Sequence, residues 1–170
     1  AGDGITLYFE AAALPAELQD DWNYGIKGYY LGTAGVLTAG DWVYAPGADD
    51  TVVAVKYNGV AAAVDATKIA GKDVSAIGYG CFEDDAALES VTLGSKLETI
   101  CDRAFAGTKA LSSVSVPAAC TYIGAHAFDG SGVGSVTFAA SSALSRIDDS
   151  AFANTESLAA IEIPAATERI

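Results

Sequence analysis

Methionine is absent from this 170-residue chain, histidine occurs once (His126), and cysteine three times, at Cys81, Cys101 and Cys120. An odd count without a C-x-x-C pair argues against a disulfide framework and against a thiolate zinc site. Basic residues are scarce too: nine Lys and Arg face 22 Asp and Glu, a formal charge of −13. That balance repels phosphate backbones and anionic lipid surfaces, so neither nucleic-acid binding nor polybasic membrane docking is expected. No apolar run approaches the ~18–20 residues that span a bilayer, which excludes helical membrane insertion. The chain starts Ala1-Gly2-Asp3-Gly4, with no initiator methionine and no targeting segment, as in a processed form or a piece of a longer protein. No phosphate-cradling glycine loop and no D-x-D-x-D-G calcium loop occurs. A single histidine with no partnered nucleophile or ligand cluster leaves no triad, metal centre or cofactor site to build. Catalysis is therefore not expected.

What the chain does have is hydrophobic content of 51%, 18 glycines and a repeat. Four copies of one unit are anchored at Ile77 and Phe82, Ile100 and Phe105, Ile123 and Phe128, and Ile147 and Phe152. Phenylalanine recurs after 23, 23 and 24 residues, always five after isoleucine. Each copy continues into an L-x-x-V-x-L element beginning at Leu88, Leu111, Val133 or Leu158. Its last apolar residues alternate with period two, as a half-buried strand requires. So short a strand must stack on the next copy to satisfy its hydrogen bonds and hide its apolar face. The Ile-x-x-x-Ala-Phe element reads as a single helical turn. Two residues after each Phe stand Asp84, Gly107, Gly130 and Asn154, types that tolerate the positive φ at which a short turn reverses.

Leu-x-x-Val-x-Leu, seven residues to Ile, then Ala-Phe-x-Gly, resembles the BspA-like class of leucine-rich repeats. The resemblance implies a β-rich leucine-rich-repeat solenoid, a right-handed stack of ~23-residue repeats with short strands and single helical turns, behind an N-terminal β-hairpin/αβ capping region. We divide the chain into residues 1–41 (cap or flanking segment), 42–72 (β-hairpin flank) and 73–170 (four repeats). In the flank, Trp42 to Tyr44, the acidic turn Ala48-Asp49-Asp50, Thr51 to Tyr57 and Val60 to Val64 resemble the β-flank of such arrays, and Asn58-Gly59 is in itself a type I′ hairpin signal. Copy three is shortened after Phe128 and lengthened before Ile147, so its edge loops should deviate. Ile170 falls where a fifth copy would begin, so the array is expected to be cut from a longer one or completed by another chain.

Stacking turns equivalent residues into columns. The isoleucines 77, 100, 123 and 147 and the phenylalanines 82, 105, 128 and 152 should form a continuous hydrophobic spine. The outward strand columns, Ser90, Ser113, Ser135, Ala160 and Thr92, Ser115, Thr137, Glu162, read either as a hydroxyl-lined binding face or simply as small residues that stack well beside water. The column Thr99, Tyr122, Arg146, Arg169 is a candidate partner contact or a solvated face. Cys81 and Cys120 fall in core columns and Cys101 at a turn, none opposite another, so three free thiols are expected. The doublets Asp20-Asp21, Asp49-Asp50, Asp84-Asp85 and Asp148-Asp149 read as solvated turns.

Before the repeat, Ile5 to Glu10 alternates as a strand, Pro15 to Trp22 suits a short helix, and Tyr24 to Leu31 a second strand. Trp22, Tyr24, Tyr29 and Tyr30, with Tyr122 and Arg146, are the candidate partner-binding residues. The aromatics before residue 58 have a second use, plugging the apolar end that every solenoid must cap. The family resemblance implies a bacterial extracellular or cell-surface setting and a non-catalytic adhesion or binding role toward a protein or glycan. Two further readings stand beside it: a structural spacer or self-associating subunit that stacks end to end, and an accessory carbohydrate-binding region of a larger enzyme.

Overall fold

A computed structural model describes residues 36–170 as twelve short strands with no α-helix among them. The first three strands, β1 (Leu37–Ala39), β2 (Trp42–Pro46) and β3 (Val52–Tyr57), form an antiparallel meander. Between β2 and β3 the chain reverses at Asp49 and Asp50, with φ of 51° and 60°. Two consecutive left-handed residues are the mark of a type I′ turn. The Thr51 amide closes it by donating to the Ala48 carbonyl at 2.9 Å, and the Thr51 hydroxyl donates to the same oxygen at 2.6 Å.

The hairpin expected at Asn58-Gly59 does not form. Neither residue is left-handed, and the Asn58 amide donates to the Asp41 carbonyl. The reason is tertiary: the free edge of β3 pairs in parallel with β6 (Lys72–Ile77), so the chain after Tyr57 cannot fold back along it. It crosses to another sheet, where β4 (Ala63–Ala66) lies in parallel register with β7 (Ser90–Leu93) over all four residues. Glycine at 59 serves close approach instead, because a Cβ there would lie 2.3 Å from the Tyr57 hydroxyl. The parallel stack thus reaches back to Val52 on one side and to Ala63 on the other.

Two parallel ladders make two sides of a solenoid. One runs β4, β7, β9 (Ser113–Val116), β11 (Ser135–Phe138). The other runs β3, β6, β8 (Thr99–Ile100), β10 (Tyr122–Ile123), β12 (Arg146–Ile147), and a bridge from Arg146 to Arg169 extends it. Its register aligns Ala54, Ile77, Ile100, Ile123 and Ile147. The two-residue β5 (Lys68–Ile69) pairs antiparallel with β6 at the margin.

The third side departs from the expected single helical turns. An α-helix needs every amide to bond four residues back. Here the amides alternate. Those of Cys81, Glu83 and Asp85 bond three residues back, to Gly78, Gly80 and Phe82, while those of Gly80, Phe82 and Asp84 reach the next copy at Asp102, Ala104 and Ala106. Half of the donors are spent between copies, which leaves linked three-residue turns in place of a helix. Such a path reverses twice around each Phe. Asp84, Gly107, Gly130 and Asn154 are left-handed, and so is a second column two residues before Phe: Gly80, Arg103, His126 and Ser150.

Inside, the rings of Phe82, Phe105, Phe128 and Phe152 stack at centroid distances of 5.1, 5.1 and 5.2 Å, with planes within 7° of parallel. Each stacked pair contributes about 0.5–1.5 kcal/mol beyond burial. The column starts one turn earlier than its phenylalanines. The Tyr57 amide donates to the Cys81 carbonyl just as that of Phe82 donates to Ala104, and the Tyr57 ring lies 5.6 Å from Phe82. Trp42 closes the end, 4.8 Å from Tyr57 and edge-on to Phe82 at 5.7 Å. These two aromatics of the flank plug the apolar end of the stack.

Candidate functional site

Strand alternation sends Val64, Val114 and Val136 inward and leaves their neighbours in water. The β4–β7–β9–β11 ladder therefore presents two exposed columns, Ala63, Ser90, Ser113, Ser135 and Asp65, Thr92, Ser115, Thr137. Short side chains at strand spacing make this face flat, with one carboxylate at its N-terminal end. The Thr67 side chain and amide hold that carboxylate, Asp65, below the usual range.

On the opposite ladder, Tyr122 and Arg146 come together in a polar knot. The Arg146 guanidinium lies 5.6 Å over the Tyr122 ring, and its Nε donates to Asp148 Oδ1 at 2.5 Å. The Tyr122 hydroxyl donates to Asp148 Oδ2 at 2.6 Å and sits 3.4 Å from Asp102 Oδ1, which also accepts the Ala125 amide at 3.0 Å. Tyr122 is buried, and Asp148 nearly so. Burial pushes the Asp102 carboxyl above the usual carboxylate range; the charge of Asp148 pushes the same way, against the Ala125 amide. Burial and the bond to Asp148 push the Tyr122 phenol far up as well, so it stays a neutral donor. The knot pins three successive turns to one another, and Arg146, half-buried, carries its charge toward the surface. The other partner-binding candidates, Trp22, Tyr24, Tyr29 and Tyr30, lie outside the described residues, as do the elements expected at Ile5 to Glu10, Pro15 to Trp22 and Tyr24 to Leu31 and the doublet Asp20-Asp21.

A second polar seam follows the turn edge. Arg103 holds Glu83 through Nη2 at 2.5 Å and Nε at 2.7 Å, His126 Nδ1 lies 2.9 Å from Asp129 Oδ2, and the Asn154 amide donates to Asp129 Oδ1 at 2.8 Å. That last bond, with His126 beside it, keeps Asp129 below the usual carboxylate range. Repetition alone did not reveal this seam, because Arg103 reaches Glu83, and Asn154 reaches Asp129, diagonally from a different column of the neighbouring copy. Among the described residues no group of three acidic, histidine or cysteine side chains converges as a metal site. All three cysteines are buried, and burial pushes the Cys81 thiol up to about 12.

Clefts open on the surface among the described residues. One of about 340 Å³ lies against the I′ turn between Asp49, Asp50, Lys72, Asp73, Lys96 and Glu98, with Lys72 paired to Asp50. Another, about 650 Å³, lies between β11 and residues 160–166 and is lined by Val136, Phe138, Glu162, Ile163 and Pro164 among others.

Two parallel ladders, a ladder of turns and a repeat of 23–24 residues define a leucine-rich-repeat β-solenoid. The chain belongs to the BspA-type leucine-rich repeat family, whose model matches residues 66–170 in six copies. No curated protein matches the chain. Among solved structures it is similar to a leucine-rich repeat protein of T. pallidum, with a TM-score of 0.70 and 24% identity over 79% of this chain and 63% of that one. The chain thus spans less than two thirds of that protein's length. A leucine-rich repeat protein of Bacteroides capillosus gives a TM-score of 0.48 at 22% identity, covering 78% of this chain and 85% of that one. A leucine-rich cell surface protein of Faecalibacterium prausnitzii gives 0.39 at 20%, covering 79% and 50%. Among the described residues no helix is long and apolar enough to cross a membrane.

Proposed function

We propose that this chain is a non-catalytic binding module of a bacterial surface or secreted protein, engaging a protein or glycan ligand outside the cell. The observation that carries the reading is the flat ladder of β4, β7, β9 and β11. Its exposed columns hold one carboxylate and otherwise hydroxyl and methyl groups, with no bulky side chain to obstruct a partner. Membership of the BspA-type family supports the setting, although fold alone does not dictate function. Of the candidate contacts, Tyr122 and Arg146 lie on the opposite ladder and take no part in this face. An array of host matrix proteins and glycans is the test. Saturable binding that Ser113→Arg and Ser115→Arg abolish, with folding intact, is the expected result; binding that survives both substitutions refutes this face.

A further inference from the structure

The fourth turn of the solenoid is closed on two sides and open on the third. Around Phe152 the ladder is intact: the amides of His126, Phe128 and Gly130 reach Asp149, Ala151 and Ala153. On the β12 side, the Ile147 amide donates to Arg169 and the Glu168 amide to Ser145. On the strand side, Glu89 donates to Ala62, Ser112 to Glu89 and Gly134 to Ser112, and there the series stops. Among the described residues, β11 pairs with β9 alone, and residues 158–163 form no strand.

The cause lies in the covalent chain. Copy three has five residues from Phe128 to Val133 where the first two copies have six, and nine from Phe138 to Ile147 where they have seven. The next copy regains six residues from Phe152 to Leu158, so its strand-side segment arrives one residue longer than that of copy three. One bond is also chemically excluded. The Ala139 amide donates to the Val116 carbonyl, and the residue equivalent to Ala139 in the next copy is Pro164, which has no N–H. Since main-chain groups alternate in direction along a strand, the Val116 bond tells which groups of β11 face the gap. They are the N–H and C=O of Val136 and Phe138.

An edge of this kind is ordinarily blunted by a lysine, a proline, a bulge or a covering loop. The residues of β11 are Ser, Val, Thr and Phe. What lies beside it instead is the 650 Å³ cleft, within the roughly 300–1,000 Å³ typical of ligand clefts. Val136, Phe138 and Ile163 give it an apolar floor, and its one charged lining residue is Glu162.

We propose that the free edge of β11 and this cleft dock an extended segment of a partner protein, which adds as a strand and supplies the missing ladder bonds. The main chain of β11 provides affinity. The apolar floor selects small apolar side chains at alternate positions, and Glu162, in a chain of charge −13, selects a Lys or Arg beside them. The proposal deepens the binding-module reading and rests on it.

The test uses the whole chain and a phage-displayed random peptide library, followed by amide hydrogen exchange on the chain with each selected peptide. The expected result is peptides with alternating apolar residues and one basic residue. These slow exchange of the Val136 and Phe138 amides at least tenfold and lose at least tenfold in affinity to Glu162→Lys. Because the Val136 and Phe138 amides report directly, the result does not depend on a variant folding. Peptides that bind without protecting those two amides overturn the site but leave the module reading standing. Protection that appears with rising protein concentration alone assigns the edge to a second copy and overturns the proposal. Ligands on the protein and glycan arrays with no peptide selected overturn the proposal only; silence in both experiments overturns the module reading as well.

Discussion

Phe105→Ala is the perturbation that tests the stack most directly. Phe105 is fully buried, with Phe82 and Phe128 each 5.1 Å from its ring centre. Removing a buried phenylalanine ring costs about 3–5 kcal/mol, and a rigid column cannot collapse into the void, so the upper end applies. Two stacked pairs are lost, at about 0.5–1.5 kcal/mol each, which brings the total to roughly 6–8 kcal/mol. Phe152 is the internal control: it is only partly buried and stacks on Phe128 alone. Phe152→Ala should cost about half as much, roughly 3–4 kcal/mol. Urea unfolding of both variants, with free energies from linear extrapolation, measures the difference. Because each turn touches only its neighbours, Phe105→Ala should also split the single transition into two. Equal losses in the two variants, or a loss below about 2 kcal/mol for Phe105→Ala, would refute the continuous stack.

Three other expectations follow from the geometry. A Cβ on Gly132 would sit 2.0 Å from the Lys109 carbonyl oxygen, whereas one on Gly71 meets open space; Gly132→Ala should therefore exceed the roughly 1–3 kcal/mol of ordinary overpacking, and Gly71→Ala should cost only about 1 kcal/mol, for its left-handed φ, by thermal melting. Asp102 has a raised carboxyl pKa, so the folded state binds its proton more readily than the unfolded chain does; that contribution is full below the unfolded value of about 3.9 and is lost as pH rises through the folded value. Asp102→Asn keeps the acceptor for Ala125, so it should gain stability relative to the parent at about pH 7 and not at about pH 3, and urea midpoints that shift equally at both would refute this. Asp65 and Asp129, both lowered, act in the opposite sense, stabilising above the unfolded value and losing that contribution as pH falls through their folded ones. Finally, with the Cys81 thiol pushed up to about 12 and Cys101 and Cys120 buried, an aromatic disulfide reagent at about pH 8 should titrate no thiol in the folded protein and all three in denaturant.

The sequence by itself determined what lies inside. A repeat of 23–24 residues places Ile, Phe and Leu in columns, and burial of those columns needs no information beyond their spacing. The reversals at Asp84, Gly107, Gly130 and Asn154 were legible for the same reason, since their side chains suit the φ they adopt. Tertiary structure alone decided the rest. Arg103 carries no chemical sign of positive φ; the bond from its amide to Ala125 in the next copy imposes it. Asn58-Gly59 carries a hairpin sign and makes none, because β6 had already claimed the edge of β3. The Tyr122–Arg146 knot and the open edge of β11 depend on which residues meet between turns, and a stack of copies sets that by its register in space, beyond the reach of any single copy's pattern.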